Sequence, residues 1–397
     1  MDIINKHLLR VLPRRWEKIL DDPRRYERGW CFSELLSVVM KAMVAGCKTL
    51  REVEAVTAAS GRRVPDTTLR DLLVQIDAEP LEEELARGVK EANRNHELDQ
   101  RELPIRLTVI DGKCLSTTDY QVDEYSINCS QKGCTKYVQH VLRAFHASST
   151  VKLLMGHQRV PRGTNEKGVF PLFLDKLVSL YGRTNLLEVI SSDAGFTSIA
   201  NSKAIIDHGL HYIMALKDPR THPITRTTME LFSAIKKPAK VESEYTNGRH
   251  ITRSLYRCTA PQQVRGWEHA REVWRIHKET VDSKGKTTSE DRYFVTSLPS
   301  LKLSSAQILK TIRLHWSIEN NSNWVLDVAW KEDSKPWCNQ AVGFLSLVRM
   351  IAYNAVARFK LRRLRRATSQ YWSWEQTLAF IKATIFPLRI NTDFACL

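Results

Sequence analysis

Three acidic residues occupy positions where a carboxylate could do chemistry. Asp111 stands late in the apolar run of "LTVIDGK", Asp193 follows the apolar run of "VISSDAGFTS", and Glu319 lies in "TIRLHWSIENNSNWVLDVAWKED". Each also has an ordinary interpretation. Asp-Gly is a common hairpin turn, an aspartate after a strand can cap a helix, and a helical glutamate can pair with Arg313 or Arg349.

Taken together, the three acids indicate a reaction that depends on a cation. Two acids near strand ends of one sheet, and a third on a helix packed against it, can converge although they are far apart in sequence. Convergent carboxylates repel one another, so they persist where a cation is bound, and their oxygens suit Mg²⁺ or Mn²⁺. Two such ions about 3.5–4 Å apart can activate a water or a 3′-hydroxyl and stabilise the leaving oxygen of a phosphodiester.

Hydrophobic periodicity predicts the elements that would position these acids. Residues 104–160 alternate apolar and polar side chains, which predicts three consecutive strands, and a helix, a strand, a helix and a strand follow. Strand and hairpin patterns fill residues 220–300, and helices return afterwards. The helical spacing near Glu319 places His315, Asn323 and Leu326 on the same face. These patterns predict a mixed α/β sheet with helices on its faces, interrupted by a β-rich insertion.

The sequence pattern of residues 1–100 predicts helices only. Asp66 or Thr67 can cap a short helix, "TTLRDLLVQID", that follows another short helix and a turn. This arrangement is compatible with a helix-turn-helix motif that presents Thr67, Thr68 and Arg70 to DNA, and equally with an ordinary helical bundle.

The charge distribution favours a polyanion as partner. The 397 residues carry a formal net charge of +16. Residues 1–100 hold 17 Lys+Arg against 18 Asp+Glu, whereas residues 101–300 hold 29 against 20 and residues 301–397 hold 14 against 6. The basic surface therefore belongs mainly to the middle and C-terminal parts.

Cysteine spacing and hydropathy favour a reduced, cytoplasmic protein. The closest pair among eight cysteines, Cys129 and Cys134, lacks the C-x-x-C spacing of a zinc site or redox motif. No signal peptide is recognisable, and no stretch approaches 18 uninterrupted apolar residues, so no membrane partner is expected.

Several motifs in register resemble a known family. "LTVIDGK", "VISSDAGFTSIANSKAIIDHGLHYIMALK", "YFVTSLP" and "IRLHWSIENNSNWVLDVAWKED" resemble bacterial insertion-sequence transposases of the DDE type. The branch that includes the H-repeat-associated proteins, with its "HWxIENxLHWxLDVxFxED" signature, is the most similar. "DPRRYERGWCFSELLSVVMKAMVAGCKTLREVEA" also resembles the N-terminal region of that branch. The similarity covers most of residues 20–355.

The resemblance implies an RNase H-like mixed sheet flanked by helices, with a β-rich insertion and an all-α N-terminal region. The implied organisation is a helical region at 1–100, the catalytic domain at 101–219 and 293–357, the insertion at 220–292, and a basic and aromatic region at 358–397. It also implies two Mg²⁺ or Mn²⁺ ions held by Asp111, Asp193 and Glu319.

The last motif departs from the branch pattern beyond the glutamate. Ser322, Asn323 and Trp324 stand where the branch has "LHW", and these changes remove no implied metal ligand. Asp327 also matches the motif, and we predict that it orients other groups rather than binding metal. Glu332 and Asp333 are expected to be an acid pair at a helix end.

The same reasoning predicts DNA contacts. His315, where related transposases often have an arginine, could contact phosphate or be a hydrogen-bonding core histidine. Lys113 could touch the scissile phosphate or lie in a turn, and Trp316 and Asn320 match family positions that orient the helix or the DNA. Asn323, in the Glu319 motif, is also predicted to bind DNA. The remaining predicted contacts are arginines: Arg249, Arg253 and Arg257 on a predicted sheet edge, and Arg362, Arg363, Arg365 and Arg366 in a basic helix followed by aromatics.

The function predicted from these observations is a DDE transposase that cuts the terminal inverted repeats of its element and joins them to target DNA. The predicted partners are DNA and a second copy of the chain, in the bacterial nucleoid. Two alternatives remain open at this point: a transposase-derived DNA-binding protein that no longer cuts, and a nuclease of the same fold that hydrolyses DNA without joining it.

Overall fold

The computed structural model describes residues 2–26, 29–99, 101–129, 133–217, 219–220, 223–261, 264–334, 337–363 and 372–387. Ten strands form one sheet: β1 (Leu107–Thr118), β2 (Ile127–Asn128), β3 (Tyr137–His146), β4 (Leu153–Arg159), β5 (Val189–Ser192), β6 (His211–Leu216), β7 (Lys240–Thr246), β8 (Arg249–Thr259), β9 (Glu272–Val281) and β10 (Thr287–Thr296). Twelve α-helices accompany them within the described residues: α1 (Asp2–His7), α2 (Phe32–Val44), α3 (Leu50–Ala59), α4 (Asp66–Leu73), α5 (Pro80–Arg94), α6 (Glu166–Tyr181), α7 (Ile199–Asp207), α8 (Pro223–Ala234), α9 (Ser305–His315), α10 (Trp324–Trp330), α11 (Val342–Arg363) and α12 (Trp374–Ile385).

The central strands have the arrangement expected of an RNase H-like sheet. The order along the sheet is β2-β3-β1-β5-β6-β10-β9-β8-β7, and β4 pairs with β3 beside β2. An antiparallel meander, β1-β3-β4, is followed by β5 and β6, which run parallel to β1. The predicted mixed α/β sheet flanked by helices is confirmed, with β1 between β3 and β5.

The β-rich insertion extends the same sheet instead of forming a separate one. β10 pairs with β9 along its whole length, and only its last four residues, 293–296, also pair with β6. One strand therefore crosses the predicted boundary at 292/293. Helix α8, which precedes these strands, was not expected from the strand pattern.

The prediction that Arg249, Arg253 and Arg257 lie on a sheet edge is wrong. They are on β8, which is hydrogen-bonded to β7 on one side and to β9 on the other, so β7 is the edge strand. The physical reason is the long-range pairing of β8 with β9, which periodicity within β8 cannot reveal.

The N-terminal and C-terminal helices pack around α11 and share one core with the sheet. The Trp330 indole donates to the carbonyl oxygen of Met43 at 2.7 Å, which joins the region around the candidate site to α2. Trp374, at the start of α12, stacks on Tyr353 of α11 with ring centroids 5.0 Å apart. Trp374 therefore anchors α12 to the core.

Helix α4 begins at Asp66, and Pro65 occupies the N-cap position, so neither Asp66 nor Thr67 caps it. Thr67 and Arg70 are exposed on its outer face, and Thr68 is half-buried.

Helix α11 is the long apolar helix of the part of the chain that the structure describes. Residues Val342–Leu361 reach a mean hydropathy of 1.3 over 18 residues although Arg349, Asn354 and Arg358 interrupt them. All of that most apolar stretch is buried within the protein. Its length and composition would also suit a membrane span, but its burial is that of a core helix.

Candidate active site

Asp111 and Asp193 lie at the same level on neighbouring parallel strands. The register pairs Val109 with Ser191 and Ile110 with Ser192, so the next residue on each chain is an aspartate. The charge of Asp193 raises the pKa of Asp111, so the two carboxylates lie near each other. Asp111 was predicted at or near a strand end, but β1 continues to Thr118, and only its pairing with β5 ends at Ile110. Asp111-Gly112 is therefore not a hairpin turn.

Asp193 stands at the end of β5, where a short 3-10 turn, Ala194–Phe196, begins. It occupies the N-cap position of that turn, but its side chain makes no capping hydrogen bond. Asp193 therefore holds the N-cap position with its backbone only, and its carboxylate is available for another role.

Glu319 is carried by a π-helical segment, Glu319–Asn323, which lies between α9 and α10. Such segments are rare and occur frequently at functional sites, because the extra residue per turn re-aims the side chains. The regular helix predicted through this region is therefore interrupted. Glu319, Asn320 and Trp324 are exposed, while Asn323 is buried.

The electrostatics of Asp111 show that several carboxylates crowd it. Burial raises the pKa of Asp111 to about 7, and the charge of Glu319 is the next largest cause. Asp193 and Glu166 raise this pKa further, while a backbone hydrogen bond from Gly112 opposes the shift. The three predicted acids are therefore in one neighbourhood.

The neighbourhood is not a preassembled metal site. Among the described residues, no group of three or more His, Cys, Asp and Glu side chains is already arranged to hold an ion. The donor set nevertheless fits a hard divalent cation, since its oxygens come from carboxylates whose mutual repulsion a cation would relieve. Lys113, two residues from Asp111 on β1, does not neutralise this charge because it is paired with Asp327.

Lys113 forms an ion pair with Asp327. Lys113 is on β1, not in a turn, and its side chain is 10% exposed. Asp327 is on α10, so the pair ties the helix that follows Glu319 to the strand that carries Asp111. Burial raises the pKa of Asp327, and its hydrogen bond with Lys113 opposes that shift. The placement of Asp327 agrees with the orienting role predicted for it.

A buried hydrogen-bond network connects Asp111 through Asn323 and Arg143 to Glu332. Asn323 donates from Nδ2 to Oδ2 of Asp111 at 3.3 Å, and its Oδ1 lies 3.5 Å from Nη1 of Arg143. Arg143, which pairs with Asp111 in the β1–β3 register, donates to both carboxylate oxygens of Glu332 at 2.6 and 2.8 Å. Burial alone would raise the pKa of Glu332, but the charge and hydrogen bonds of Arg143 outweigh it and lower that pKa.

Sequence reasoning missed this network. Glu332 was expected to be an acid at a helix end, yet both it and Arg143 are fully buried. The available signal was an arginine inside the apolar strand "YVQHVLRAFH", because a buried arginine requires an acidic partner. Asn323, predicted to bind DNA, is 7% exposed and contacts Asp111 instead.

His315 lies in the core and not on a phosphate-binding surface. It is 4% exposed, and its Nδ1 is 2.9 Å from Oγ of Ser191 on β5. Burial lowers the pKa of His315 to about 4, so it is neutral near pH 7. The predicted phosphate contact is therefore wrong, because a buried neutral imidazole offers neither access nor charge. Trp316 is half-buried, with the Arg292 guanidinium 4.4 Å from the centre of its ring.

Two of the arginines predicted to bind DNA are engaged within the insertion. Arg253 donates to Glu244 at 2.8 Å, and Arg257 binds both oxygens of Glu272 at 2.7 and 2.9 Å. Arg249 is exposed. Arg365 and Arg366 lie outside the described residues, and so do the side chains of Arg362 and Arg363.

The fold and the candidate site together define a class: an RNase H-like sheet with acidic residues on β1, directly after the neighbouring parallel strand β5, and on the helical segment Glu319–Asn323. A family model described as a transposase DDE domain matches residues 102–355, more than half of the chain. The chain therefore belongs to the transposase DDE-domain family.

Individual relatives are distant. The chain is 24% identical over 247 residues to two proteins of Escherichia coli (strain K12), "Putative protein YbfL" and "H repeat-associated putative transposase YhhI". The aligned part covers 57% of this chain and 62% of each relative, so the chain spans about three fifths of the length of these relatives. The solved structure described as "Cryo-EM structure of piggyBac transposase synaptic complex with hairpin DNA" is 10% identical, with a TM-score of 0.47, over 97% of this chain and 78% of that chain.

Proposed function

We propose that this protein is a DDE transposase that cuts DNA at the terminal inverted repeats of an insertion element and joins the freed 3′-hydroxyl to target DNA. The observation that carries the proposal is the matched level of Asp111 and Asp193 on neighbouring parallel strands, with Glu319 as the strongest charge acting on Asp111. The family membership supports the same reaction class.

The proposed roles of the residues follow from their contacts. Asp111, Asp193 and Glu319 would hold two divalent cations, Mg²⁺ or Mn²⁺. When bound, these ions would activate the attacking water or 3′-hydroxyl and stabilise the leaving oxygen. Asn323 would orient the Asp111 carboxylate, and Lys113 with Asp327 would keep the helical segment against the sheet.

DNA binding is proposed to rest on Lys and Arg contacts with phosphates and on exposed groups beside the acids. Asn320 and Trp324 are exposed within one π-helical turn of Glu319, and Trp324 is 57% exposed, which suits stacking on a base near the cut. Arg249, Arg362, Arg363, Arg365 and Arg366 remain proposed phosphate contacts.

We also propose that two copies act together on two element ends, in the bacterial nucleoid. The reason is the reaction class, which brings both ends of an element to one target. Sedimentation of the complex with end-bearing DNA tests this: an active complex that contains a single chain would contradict it.

The test of the proposed function uses end-labelled DNA taken from the flanks of the gene, with Mg²⁺, separated on a sequencing gel. We expect cleavage followed by joined products. Asp111→Asn, Asp193→Asn and Glu319→Gln should each lower the cleavage rate by at least about a thousandfold, since removal of an essential charge-stabilising group costs ~4 kcal/mol or more. DNA binding by these variants, measured by gel shift, should remain.

Asp207→Asn is the matched control, because Asp207 is an exposed acid on α7 that pairs with Lys203. It should cut like the wild type. Binding without cleavage by the wild-type protein would indicate a DNA-binding protein, and cleavage without joining would indicate a hydrolytic nuclease. An acid variant that cuts at the wild-type rate would remove that residue from the site.

A further inference from the structure

The strands of the insertion continue past the end of the sheet at which Asp193 lies. Asp193 directly follows β5, whose last residue is level with Met214 on the parallel strand β6. β10 pairs with β6 only over residues 293–296, whereas its residues 287–292 pair with β9 and not with β6. Because a strand rises roughly 3.4 Å per residue, β10 extends about 20 Å beyond the end of β6, on the side of Asp193.

The register of the sheet places Arg292 on the same face as Asp111. Val109 on β1 is level, across β5, with Ile213 on β6, and Ile213 is opposite Thr296 of β10. Side chains two residues apart share a face of a strand. Asp111 follows Val109 by two residues, and Arg292 precedes Thr296 by four. Both side chains are therefore on one face of the sheet, which we call the front face.

Arg292 is also close to the candidate site. Its guanidinium lies 4.4 Å from the centre of the Trp316 ring, three residues before Glu319. Burial is the main reason that the pKa of His315 is low, and the charges of Asp193 and Arg292 act on the same imidazole in opposite directions. Arg292 therefore stands at the point where the projecting strands meet the site.

The projecting part of the insertion, the β-arm, is strongly asymmetric in charge. It consists of residues 240–246, 249–255, 276–281 and 287–292. By the alternation of side chains in this register, all of its lysines and arginines are on the front face: Lys240, Arg249, Arg253, Lys278 and Arg292. The opposite face of these four described segments carries Glu279 and Asp291 and no lysine or arginine.

The acids on the front face of the β-arm do not cancel its positive charge. Each is paired with an arginine: Glu242 with Arg313 of α9, Glu244 with Arg253, and Glu290 with Arg292. Lys240, Arg249 and Lys278 are therefore in excess of the acids on this face. The pairs are partly exposed to water, where such pairs contribute little stability, so phosphate oxygens can replace the carboxylates.

We propose that the front face of the β-arm binds duplex DNA by its phosphates, and that Arg292 is its contact nearest to the three acids. The inference rests on the proposed function for the identity of the partner, but it assigns a surface and adds Lys240, Lys278 and Arg292 to the contacts. Basic side chains on phosphates supply most of the affinity for DNA. A face about 20 Å long matches about six base pairs of backbone.

Thr287 and Thr288 provide a matched pair of positions. They are adjacent on β10, both are exposed, and they point to opposite faces, with Thr288 on the front. The measurement is the Kd of the full chain for labelled duplex DNA of random sequence, by fluorescence anisotropy. Thr288→Glu should raise the Kd about fivefold, since nearby like charges in water repel by about that much. Thr287→Glu adds the same charge to the other face and should leave the Kd unchanged.

The reverse change tests the surface by a gain of affinity. Thr288→Lys should lower the Kd, because it adds a phosphate contact to the front face, and Thr287→Lys should not. Thermal melts of all four variants check that the fold is retained. Equal Kd values for the two glutamate variants, together with equal values for the two lysine variants, would overturn the assignment of the β-arm.

The role of Arg292 is tested by the salt dependence of binding. Arg292→Gln should lower the slope of log affinity against log salt concentration by about one, which is the loss of one phosphate contact. Arg292→Lys keeps the charge but loses the planar group that lies over Trp316, so it should keep the slope. A slope that is unchanged in Arg292→Gln, or lowered equally in both variants, would show that Arg292 only supports the Trp316 ring.

These measurements separate the β-arm from the proposed function. If DNA binding depends on the face that carries the new charge but the wild type cuts no element ends, the proposed function fails and the β-arm assignment stands. If the wild type cuts and joins DNA while Thr288→Glu and Thr287→Glu bind alike, the function stands and the DNA lies elsewhere.

Discussion

At the scale of single residues, the site is a set of charges of one sign that the fold forces together. Asp111 receives a hydrogen bond from Asn323 but faces the charges of Glu319, Asp193 and Glu166. A protein gains no stability from such an arrangement, and functional sites are the places where it is tolerated. The same crowding makes the cation-free protein sensitive to pH at this position.

Asp111→Asn should stabilise the cation-free protein at pH 8. The pKa of Asp111 is about 7 when folded and about 3.9 when unfolded, so the folded state holds the proton more tightly. The folded state therefore loses stability, relative to the unfolded state, as pH rises from about 4 to about 7. Above that range Asp111 is deprotonated in both states and the loss is complete. Urea denaturation in chelator should show a stabilising effect of the substitution at pH 8 that disappears near pH 4.

Addition of Mg²⁺ should make the wild type more stable than Asp111→Asn, because the wild type gains stability from the ion and the variant does not. A variant that is less stable than the wild type in chelator at pH 8 would show that crowding at Asp111 is weaker than the structure indicates.

At the scale of elements, contacts between the sheet and the region around α10 keep the acids together. Asn323 contacts Asp111, Lys113 pairs with Asp327, and Arg143 pairs with Glu332, so three residues near α10 are joined to β1 and β3. The π-helical segment lies at the start of this region and presents Glu319 at the surface. The orientation of the Glu319 side chain therefore depends on contacts made by residues outside its own helical turn.

Asn323→Ala should raise the Mg²⁺ concentration needed for half-maximal DNA cleavage about tenfold, since loss of a group that orients a ligand typically costs that much. The maximal rate at saturating Mg²⁺ should fall less. Asn321→Ala is the control, because the hydrogen bond at Asn321 uses its backbone carbonyl, which accepts from the Tyr353 hydroxyl at 2.6 Å. Equal Mg²⁺ dependence of the two variants would rule out the orienting role of Asn323.

At the scale of the whole molecule, the N-terminal helices and α12 pack together with the sheet. Trp374 of α12 stacks on Tyr353 and meets Trp330 edge-on, with ring centroids 5.8 Å apart, while Lys382 of the same helix pairs with Glu52 of α3. The N-terminal helices, the sheet and α12 therefore share one core, although the sequence suggested separate regions. Helix α12 thus packs against residues of α10 and α11 near the candidate site.

Trp374→Ala should lower the free energy of unfolding by roughly 2–3 kcal/mol, less than for a fully buried tryptophan because this one is half-buried. Trp324→Ala is the matched control for stability, since Trp324 is 57% exposed and loses little packing. The midpoint of urea denaturation measures both. A Trp374 variant as stable as the Trp324 variant would show that α12 is dispensable for the fold.

The sequence alone determined the family and the fold class of the protein. Alternation of apolar residues predicted the strands around Asp111, and the spacing of motifs predicted the mixed sheet and the family. These features are local or are shared with relatives, so they can be recognised along the chain.

Only the tertiary structure decided which side chains meet. The pairing of β8 on both sides, the burial of His315, the π-helical turn at Glu319 and the contact of Asn323 with Asp111 depend on residues far apart in sequence. Periodicity reports which face of an element is buried, whereas the partner on that face is set by how the whole chain packs.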